Sequence, residues 1–354
     1  MSTWRNQNRQ RGADSGRPRG RGNWRGRGRG GNATVSENRR MENIASVSRS
    51  SGLQGDGDAL KNFKTQEEYR EFIAGKLDDF WKRHSRAGSG TASQQQTEVQ
   101  ENILILFRKL REGIVSSKRQ DHFALEVYET SLYLATLFRS LKQISSIIPH
   151  LIPELYVQVS GSQPRRLPTI LIALLHQLVL GFPSQNSYYN FLQSVPENLL
   201  SRSSEAYTWL NSIASSLWMH NHCKFERLTR PLSFSSFLED TNSTPLNAQL
   251  ATLSLTTQPR HDLLNKAFHA VVDTLRAKAR ESTWTVIRSA YREISCHADS
   301  PTRDWLAKSL ALQPVLPDSD SVTLDQWLQG KSLLNQVRQK EGVEGRWIIC
   351  KVTR

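Results

Sequence analysis

The fold class of this chain is decided by Phe123-Ala-Leu-Glu-Val-Tyr-Glu-Thr-Ser-Leu-Tyr-Leu-Ala-Thr-Leu-Phe138. Its apolar residues recur every three or four positions, the spacing that places side chains on one face of an α-helix. The residues at this spacing are Phe123, Val127, Tyr128, Leu132, Leu134, Ala135 and Phe138. The stretch therefore predicts a long amphipathic helix that lies against a core.

Similar spacing occurs on both sides of this stretch. Before it, an apolar face from Tyr69 to Trp81 belongs to a helix expected to begin at a capping box, Thr65-Gln-Glu-Glu68, and to end near His84. A glutamine-rich segment then leads into a second apolar helix around 103–110. After it, helices are expected at 143–158, 166–181, 186–194 and 203–219. Successive helices joined by short turns predict an antiparallel array, similar to a solenoid.

The last third of the chain has a different pattern. Residues 229–258 are rich in Asn, Ser and Thr, which predicts an irregular connection. Strand-like runs at 333–340 and 346–352 flank a five-residue turn with two glycines, which predicts a hairpin. Between these regions, helices are expected at 260–280, 282–295, 301–312 and 323–329. Short helices followed by a terminal hairpin are typical of a winged helix.

The N-terminal 31 residues carry most of the positive charge. They contain nine Arg, no Lys and one acid, so they hold +8 of the net charge of +14. Glycine raises the entropy cost of ordering and the arginines repel one another, which predicts a disordered tail and linker over residues 1–60.

The same tail is expected to bind RNA or single-stranded nucleic acid. Guanidinium groups pair with phosphates, and both guanidinium and indole rings stack on bases. The alternative is a solubilising or localising tail. The residues assigned to the nucleic-acid contact are Trp4, Arg17, Arg19, Arg21, Trp24, Arg25, Arg27 and Arg29.

A second RNA contact is expected at the terminal hairpin. Residues 331–354 hold six basic residues against two acids, and a solvated hairpin surface is the alternative interpretation. Strand alternation places only some of the basic residues on one face. The helix before the hairpin carries Asp325 and no basic residue, so phosphate repulsion argues against duplex recognition by that helix. The hairpin residues assigned to RNA are Arg338, Lys340, Arg346 and Lys351.

Catalytic and metal sites find little support in the sequence. Trp218-Met-His-Asn-His-Cys223 contains zinc-type ligands, but their spacing is awkward on a helix, and helix-end residues are the preferred interpretation. Tyr128 and Glu129 point about 100° apart on a helix and are expected to be structural. Phosphate-loop, G-x-S-x-G and H-E-x-x-H motifs are absent from the sequence. We therefore expect no enzyme activity, no cofactor and no metal.

Targeting signals are weak in the sequence; the expected location is the nucleus, with the cytoplasm as a second location. The N-terminus has no apolar segment of the secretory type, and the apolar run 169–182 is too short for a membrane span and predicts a buried core helix. The cysteines, Cys223, Cys296 and Cys350, form no C-x-x-C pair, which suits reduced thiols.

Several segments resemble, in order, the SAC-three/GANP/THP-three family. Phe123 to Thr130 resembles its phenylalanine-x-x-x-valine-tyrosine-glutamate segment, and Leu151 to Tyr156 resembles its leucine-x-x-leucine-tyrosine turn. Further similarities lie at 110–119, 186–191, 195–196, 284–291, 301–312 and 324–328. The similarity spans roughly residues 100–352.

The resemblance implies a PCI-type fold, in which a right-handed helical-repeat array ends in a winged helix. On this resemblance, we expect three parts in the chain: a tail (1–60), a helical array (61–258) and a final module (259–354). It implies a non-catalytic scaffold in nuclear messenger-RNA biogenesis or export, with protein partners that include a small acidic Sem/Dss-type peptide. The alternative is a PCI-type subunit of a proteasome-lid, signalosome or translation-initiation-factor assembly.

Overall fold

The computed structural model describes residues 40–47, 55–84, 94–161, 163–238, 258–315 and 322–350. The chain forms two compact units, Met1–Asn43 and Ile44–Arg354. Of the first unit, only residues 40–43 are described, and they form part of a helical turn. The tail predicted over 1–60 therefore falls mostly outside the described residues.

The second unit is mostly helical. Its main helices are α1 (Phe63–His84), α2 (Gln94–Ser116), α3 (His122–Leu137), α4 (Leu141–Pro149), α5 (Arg166–Gly181), α6 (Asn186–Ser194), α7 (Glu205–Trp218), α8 (His222–Leu228), α9 (Gln258–Ala290), α10 (Pro301–Ser309) and α11 (Leu324–Leu333). Shorter helical turns lie at Gly55–Lys61, His150–Leu155, Tyr156–Gln158, Pro231–Ser233 and Ser235–Leu238. Within the described residues, one strand, β1 (Glu293–Ser295), lies between α9 and α10. Two more, β2 (Val337–Gln339) and β3 (Arg346–Ile349), follow α11. The prediction of a helical body with a small C-terminal sheet is confirmed.

Helix α1 begins before the capping box that the sequence suggested. The Oδ1 atom of Asn62 accepts hydrogen bonds from the backbone N–H groups of Lys64 at 2.9 Å and Thr65 at 3.3 Å. Asparagine is as good an N-terminal cap as threonine, and it stands three residues earlier. The predicted capping box is therefore wrong, whereas the predicted end at His84 is confirmed.

Helix α5 forms the centre of the helical body. Residues 169–175 are all fully buried, with an exposed fraction of 0%. The helix packs against α6, α7 and α9. The apolar run is thus a core helix, as predicted. Among the described residues, no helix is long and apolar enough to cross a membrane.

Helix α9 is a single helix of 33 residues. The sequence predicted two helices, 260–280 and 282–295, and this division is wrong. Thr283, at the expected break, satisfies its hydroxyl by bonding the Ala279 carbonyl at 2.8 Å and His222 Nδ1 at 2.9 Å. A threonine that bonds back to the preceding turn does not interrupt a helix. Because α9 packs against α3 and α5 and also carries Trp284 into the C-terminal core, it connects the two parts of the unit.

The C-terminal sheet has the strand order β1-β3-β2, with both pairs antiparallel. The predicted hairpin corresponds to β2 and β3. Strand β1 was not predicted, because 282–295 was assigned to a helix, and the helix in fact ends at Ala290. Behind the sheet lies a core of buried residues that includes Trp284, Ile287, Leu306, Leu310 and Leu328.

Candidate nucleic-acid interface

The C-terminal sheet has one apolar face and one polar face. Ile294, Val337, Trp347 and Ile349 are buried in the core behind the sheet. Alternation along each strand sends the residues between them to the opposite side. The polar side, called here the outer face, comprises Glu293, Ser295, Arg338, Lys340, Arg346 and Ile348.

All three described hairpin residues that the sequence assigned to RNA lie on this outer face. Arg338 is the register partner of Ile348 on β3, and Ile348 is in turn the partner of Glu293 on β1. The backbone N–H of Lys340 donates to the carbonyl of Arg346 at 2.9 Å, which aligns these two residues across the hairpin. The strand register therefore gathers Arg338, Lys340 and Arg346 on one surface.

Glu293 partly neutralises this basic surface. Its carboxylate lies 3.2 Å from Lys340 Nζ and 3.4 Å from Arg346 Nη1, and all three side chains are more than a third exposed. Exposed ion pairs of this kind contribute at most about 1 kcal/mol, so phosphate groups can compete for both cations. With one acid among three bases, the outer face keeps a positive balance. Glu293 was not predicted to lie on this surface, because strand β1 was not predicted.

The charge at α11 also differs from expectation. Asp325 was expected to repel phosphate because residues 323–329 contain no basic residue, but Arg303 on α10 donates to both of its carboxylate oxygens. The hydrogen bond to Asp325 raises the pKa of Arg303 above its ordinary value. The repulsion that we expected between Asp325 and a phosphate is therefore reduced by a paired guanidinium.

The sheet is fixed to the core from both ends. The indole N–H of Trp284 on α9 donates to Gln336 Oε1 at 2.7 Å, just before β2. Arg288 donates to the carbonyl of Cys350 at 3.0 Å, just after β3. Both ends of the hairpin are thus held by the last turns of α9, which gives the outer face a rigid support.

The remaining residues assigned to RNA lie outside the described residues. They are Trp4, Arg17, Arg19, Arg21, Trp24, Arg25, Arg27, Arg29 and Lys351. Their assignment stays a prediction from charge and stacking chemistry.

The other candidates from the sequence lie at a junction between two helices and in the core of the helical body. Met219 ends α7 and Asn221 caps α8 through the Lys224 N–H at 3.0 Å, so the histidine-containing segment joins two helices. Within the described ranges, no group of three or more metal-binding side chains is present. Glu129 is buried and accepts a hydrogen bond from the Tyr156 hydroxyl at 2.7 Å, in agreement with the hydrogen-bonding role expected for this residue.

A groove beside this segment contains functional candidates that sequence reasoning missed. It has a volume of about 810 Å³ and lies between α6, α7 and α9. Trp218 is 71% exposed and Tyr189 is 42% exposed at its edge. Exposed aromatic rings are signals for partner binding, but the groove at which they lie forms only when α6, α7 and α9 pack together.

Comparisons with known proteins give no further assignment. The chain matches no protein-family model. No curated protein matches it either. The function is therefore inferred from the residues and their arrangement.

Proposed function

We propose that this protein is a non-catalytic scaffold of a nuclear complex in messenger-RNA biogenesis or export. The tail and the outer face of the C-terminal sheet bind RNA, and the helical body binds protein partners. The observation that carries the RNA part is the gathering of Arg338, Lys340 and Arg346 on one exposed face.

The charge distribution supports RNA as the ligand. The tail holds +8 within 31 residues, together with Trp4 and Trp24. The dense positive charge of the tail favours fast capture of a phosphate backbone, and the fixed cations of the outer face give a defined contact with it. Because most cations are arginines, they also stack on unpaired bases, which favours single-stranded RNA.

The order of elements supports the PCI-type part of the proposal. From α9 onward, the chain runs helix, strand, helix, helix, strand, strand. This is the order of elements in a winged helix, and a helical array precedes it. The protein partners of such a scaffold, including a small acidic Sem/Dss-type peptide, would dock on the helical body.

RNA binding is tested with the full chain and a fluorescent single-stranded RNA of about 20 nucleotides. Arg338→Gln, Lys340→Gln and Arg346→Gln are combined in one variant. We expect weaker binding and a shallower dependence of log affinity on log salt, by about 0.7 for each phosphate that the variant no longer neutralises. A second variant replaces the six tail arginines from Arg17 to Arg29 by glutamine.

The matched control removes the same number and type of charges elsewhere. Arg83, Lys142 and Arg202 are exposed and lie on other parts of the unit. If the control triple variant binds RNA as weakly as the sheet variant, the outer face is not a specific contact. If neither the sheet nor the tail variant changes binding, the RNA proposal fails.

The class of complex is tested by affinity purification and mass spectrometry. Recovery of export or splicing factors supports the proposal. Recovery of proteasome-lid, signalosome or initiation-factor subunits instead assigns the chain to the alternative PCI-type assembly.

A further inference from the structure

A second polar cleft lies on the helical body, far in sequence from the C-terminal sheet. It has a volume of about 450 Å³ and is open to solvent on one side. Its walls come from α2, α3 and α4 and the turn that follows α4. The polar residues that define it are Arg108, Arg111, Glu112, Tyr128, Ser146 and His150.

Arg111 forms part of the wall and is buried, with an exposed fraction of 5%. Its guanidinium donates to Gln143 Oε1 at 2.7 Å and to Ser146 Oγ at 3.3 Å, and both acceptors are neutral. Among the described residues, no carboxylate lies within ion-pair distance of Arg111. Burial lowers the pKa of Arg111 to about 10, so the group remains charged at neutral pH. A buried charge without a contacting counter-charge is unfavourable unless a ligand supplies one.

Tyr128 adds a hydroxyl donor to the same cleft, beside the Nε atom of Arg111, which is buried and has no hydrogen-bond partner. Its side chain is 2% exposed, and the guanidinium of Arg111 lies 5.9 Å from its ring centroid. Within the part of the chain that the structure describes, its hydroxyl has no hydrogen-bond partner. The hydroxyl oxygen is not among the fully buried polar atoms without a partner, so it is reached by solvent and can donate to a ligand that enters the cleft.

Two arginines and one carboxylate line the cleft, and a second carboxylate, Glu154, lies beside it. Arg108 adds a second guanidinium, whose Nε atom is 3.6 Å from Glu112 Oε1. Glu112 is the acid of the lining, and it also accepts a hydrogen bond from Ser46. His150 stands at the cleft next to Glu154, with 3.4 Å between Nδ1 and Oε2. Two arginines therefore face one lining carboxylate.

We propose that this cleft binds a small phosphate monoester. A tetrahedral phosphate dianion accepts hydrogen bonds from several directions at once, which suits the guanidinium groups of Arg108 and Arg111 and the Tyr128 hydroxyl. The volume of about 450 Å³ is larger than inorganic phosphate needs and accommodates the organic part of an ester such as a nucleotide. This site is separate from the outer face of the sheet and does not depend on RNA binding.

The proposal is tested by calorimetry with the full chain, using adenosine 5′-monophosphate, inorganic phosphate and adenosine as probes at constant ionic strength. We expect the monophosphate to bind and adenosine not to bind. Tyr128→Phe removes only the hydroxyl and should lower the affinity about threefold or more without changing the fold. Arg111→Met should lower it at least about tenfold.

The stability of the free protein gives an independent readout. Since Arg111 lacks a contacting counter-charge, Arg111→Met should leave the unfolding midpoint in urea unchanged or raise it, while abolishing the response to the monophosphate. Arg83→Gln, at an exposed position elsewhere, should alter neither. If the wild type binds neither phosphate probe, or if binding survives in Tyr128→Phe and Arg111→Met, the assignment is wrong. If Arg111→Met does not fold, Tyr128→Phe alone decides.

Discussion

Arg276 and Thr229 are joined by two hydrogen bonds in the interior of the protein. The Nη1 atom of Arg276 donates to the carbonyl oxygen of Thr229 at 3.1 Å and to its hydroxyl oxygen at 2.9 Å. Its Nη2 atom donates to the carbonyl of Gln313 at 2.9 Å. With an exposed fraction of 1%, this guanidinium links the end of α8, the middle of α9 and the segment after α10.

Removal of this link should destabilise the protein strongly. Arg276→Met removes the donor to two buried oxygen atoms of Thr229 and to the carbonyl of Gln313, and we expect the free energy of unfolding to fall by about 2–4 kcal/mol. Thr229→Val removes the hydroxyl that accepts from Arg276 and donates to the carbonyls of the preceding turn, and it should cost about 1–2 kcal/mol. Unfolding in urea measures both. Arg227→Met is the control, since Arg227 is exposed. An equal loss of unfolding free energy in this variant would show that the hydrogen bonds of Arg276 do not stabilise the protein.

Removal of the carboxylate on the outer face should strengthen RNA binding. Glu293 contacts both Lys340 and Arg346, so Glu293→Gln frees two cations and removes one negative charge. We expect the dissociation constant for single-stranded RNA to fall about threefold at low salt, with the difference shrinking as salt is added. Fluorescence anisotropy across a salt series measures this change.

The control for Glu293→Gln is the same change at Glu197, an exposed acid on the helical body. It alters the net charge equally but leaves the sheet untouched. Equal gains in both variants would mean that RNA responds to net charge and not to the outer face.

A buried histidine should make the stability of the protein depend on pH. His176 on α5 is 2% exposed, and its Nε2 atom has no hydrogen-bond partner among the residues described. Burial, with a smaller contribution from Lys278, lowers the pKa of His176 to about 4. The unfolded chain therefore takes up the proton first. Stability is complete above the ordinary histidine pKa and is lost as the pH falls toward 4, by up to about 3 kcal/mol.

Urea unfolding of the wild type and His176→Leu between pH 4.5 and 7.5 checks this expectation. The leucine variant should lose part of the pH dependence that the wild type shows. Parallel curves for the two proteins would mean that His176 does not titrate between these limits.

The helices of the body could be predicted because the apolar spacing that indicates each helix lies within that helix. The bounds 166–181 and 186–194 were predicted from apolar spacing and agree with α5 and α6. Strand β1 could not be found in this way, since it has three residues and forms only by pairing with β3, about 50 residues away in sequence. Short strands depend on tertiary partners more than on their own sequence.

The candidate nucleic-acid interface also depends on tertiary contacts that the local sequence does not show. Arg338, Lys340 and Arg346 were recognised from charge, but their shared face depends on the register of the hairpin. Glu293 and Arg303 modify the charge of the site, and each acts through a contact that no local pattern encodes. Local composition therefore predicts which ligand class suits a segment, whereas the balance of charges on a surface requires the fold.

Two glycines of the hairpin turn allow a matched test of how the outer face is supported. Gly342 and Gly345 both have positive φ, 75° and 71°. A Cβ atom at Gly342 would meet open space, whereas one at Gly345 would lie 3.0–3.1 Å from the side chain and backbone of His297. The carbonyl of Gly345 also accepts the Cys296 N–H at 2.7 Å, next to the pairing of β1 with β3.

Alanine at each position should separate backbone strain from close packing. Gly342→Ala introduces only the strain of a left-handed backbone, about 1–2 kcal/mol. Gly345→Ala adds a clash with His297 backbone atoms that cannot move without shifting β1, so its total cost should reach about 2–4 kcal/mol. Because β1 carries Glu293, a shift of this strand should also change RNA affinity in Gly345→Ala and leave it unchanged in Gly342→Ala. Equal stability and equal RNA affinity in the two variants would show that the contact of Gly345 with His297 does not support the outer face.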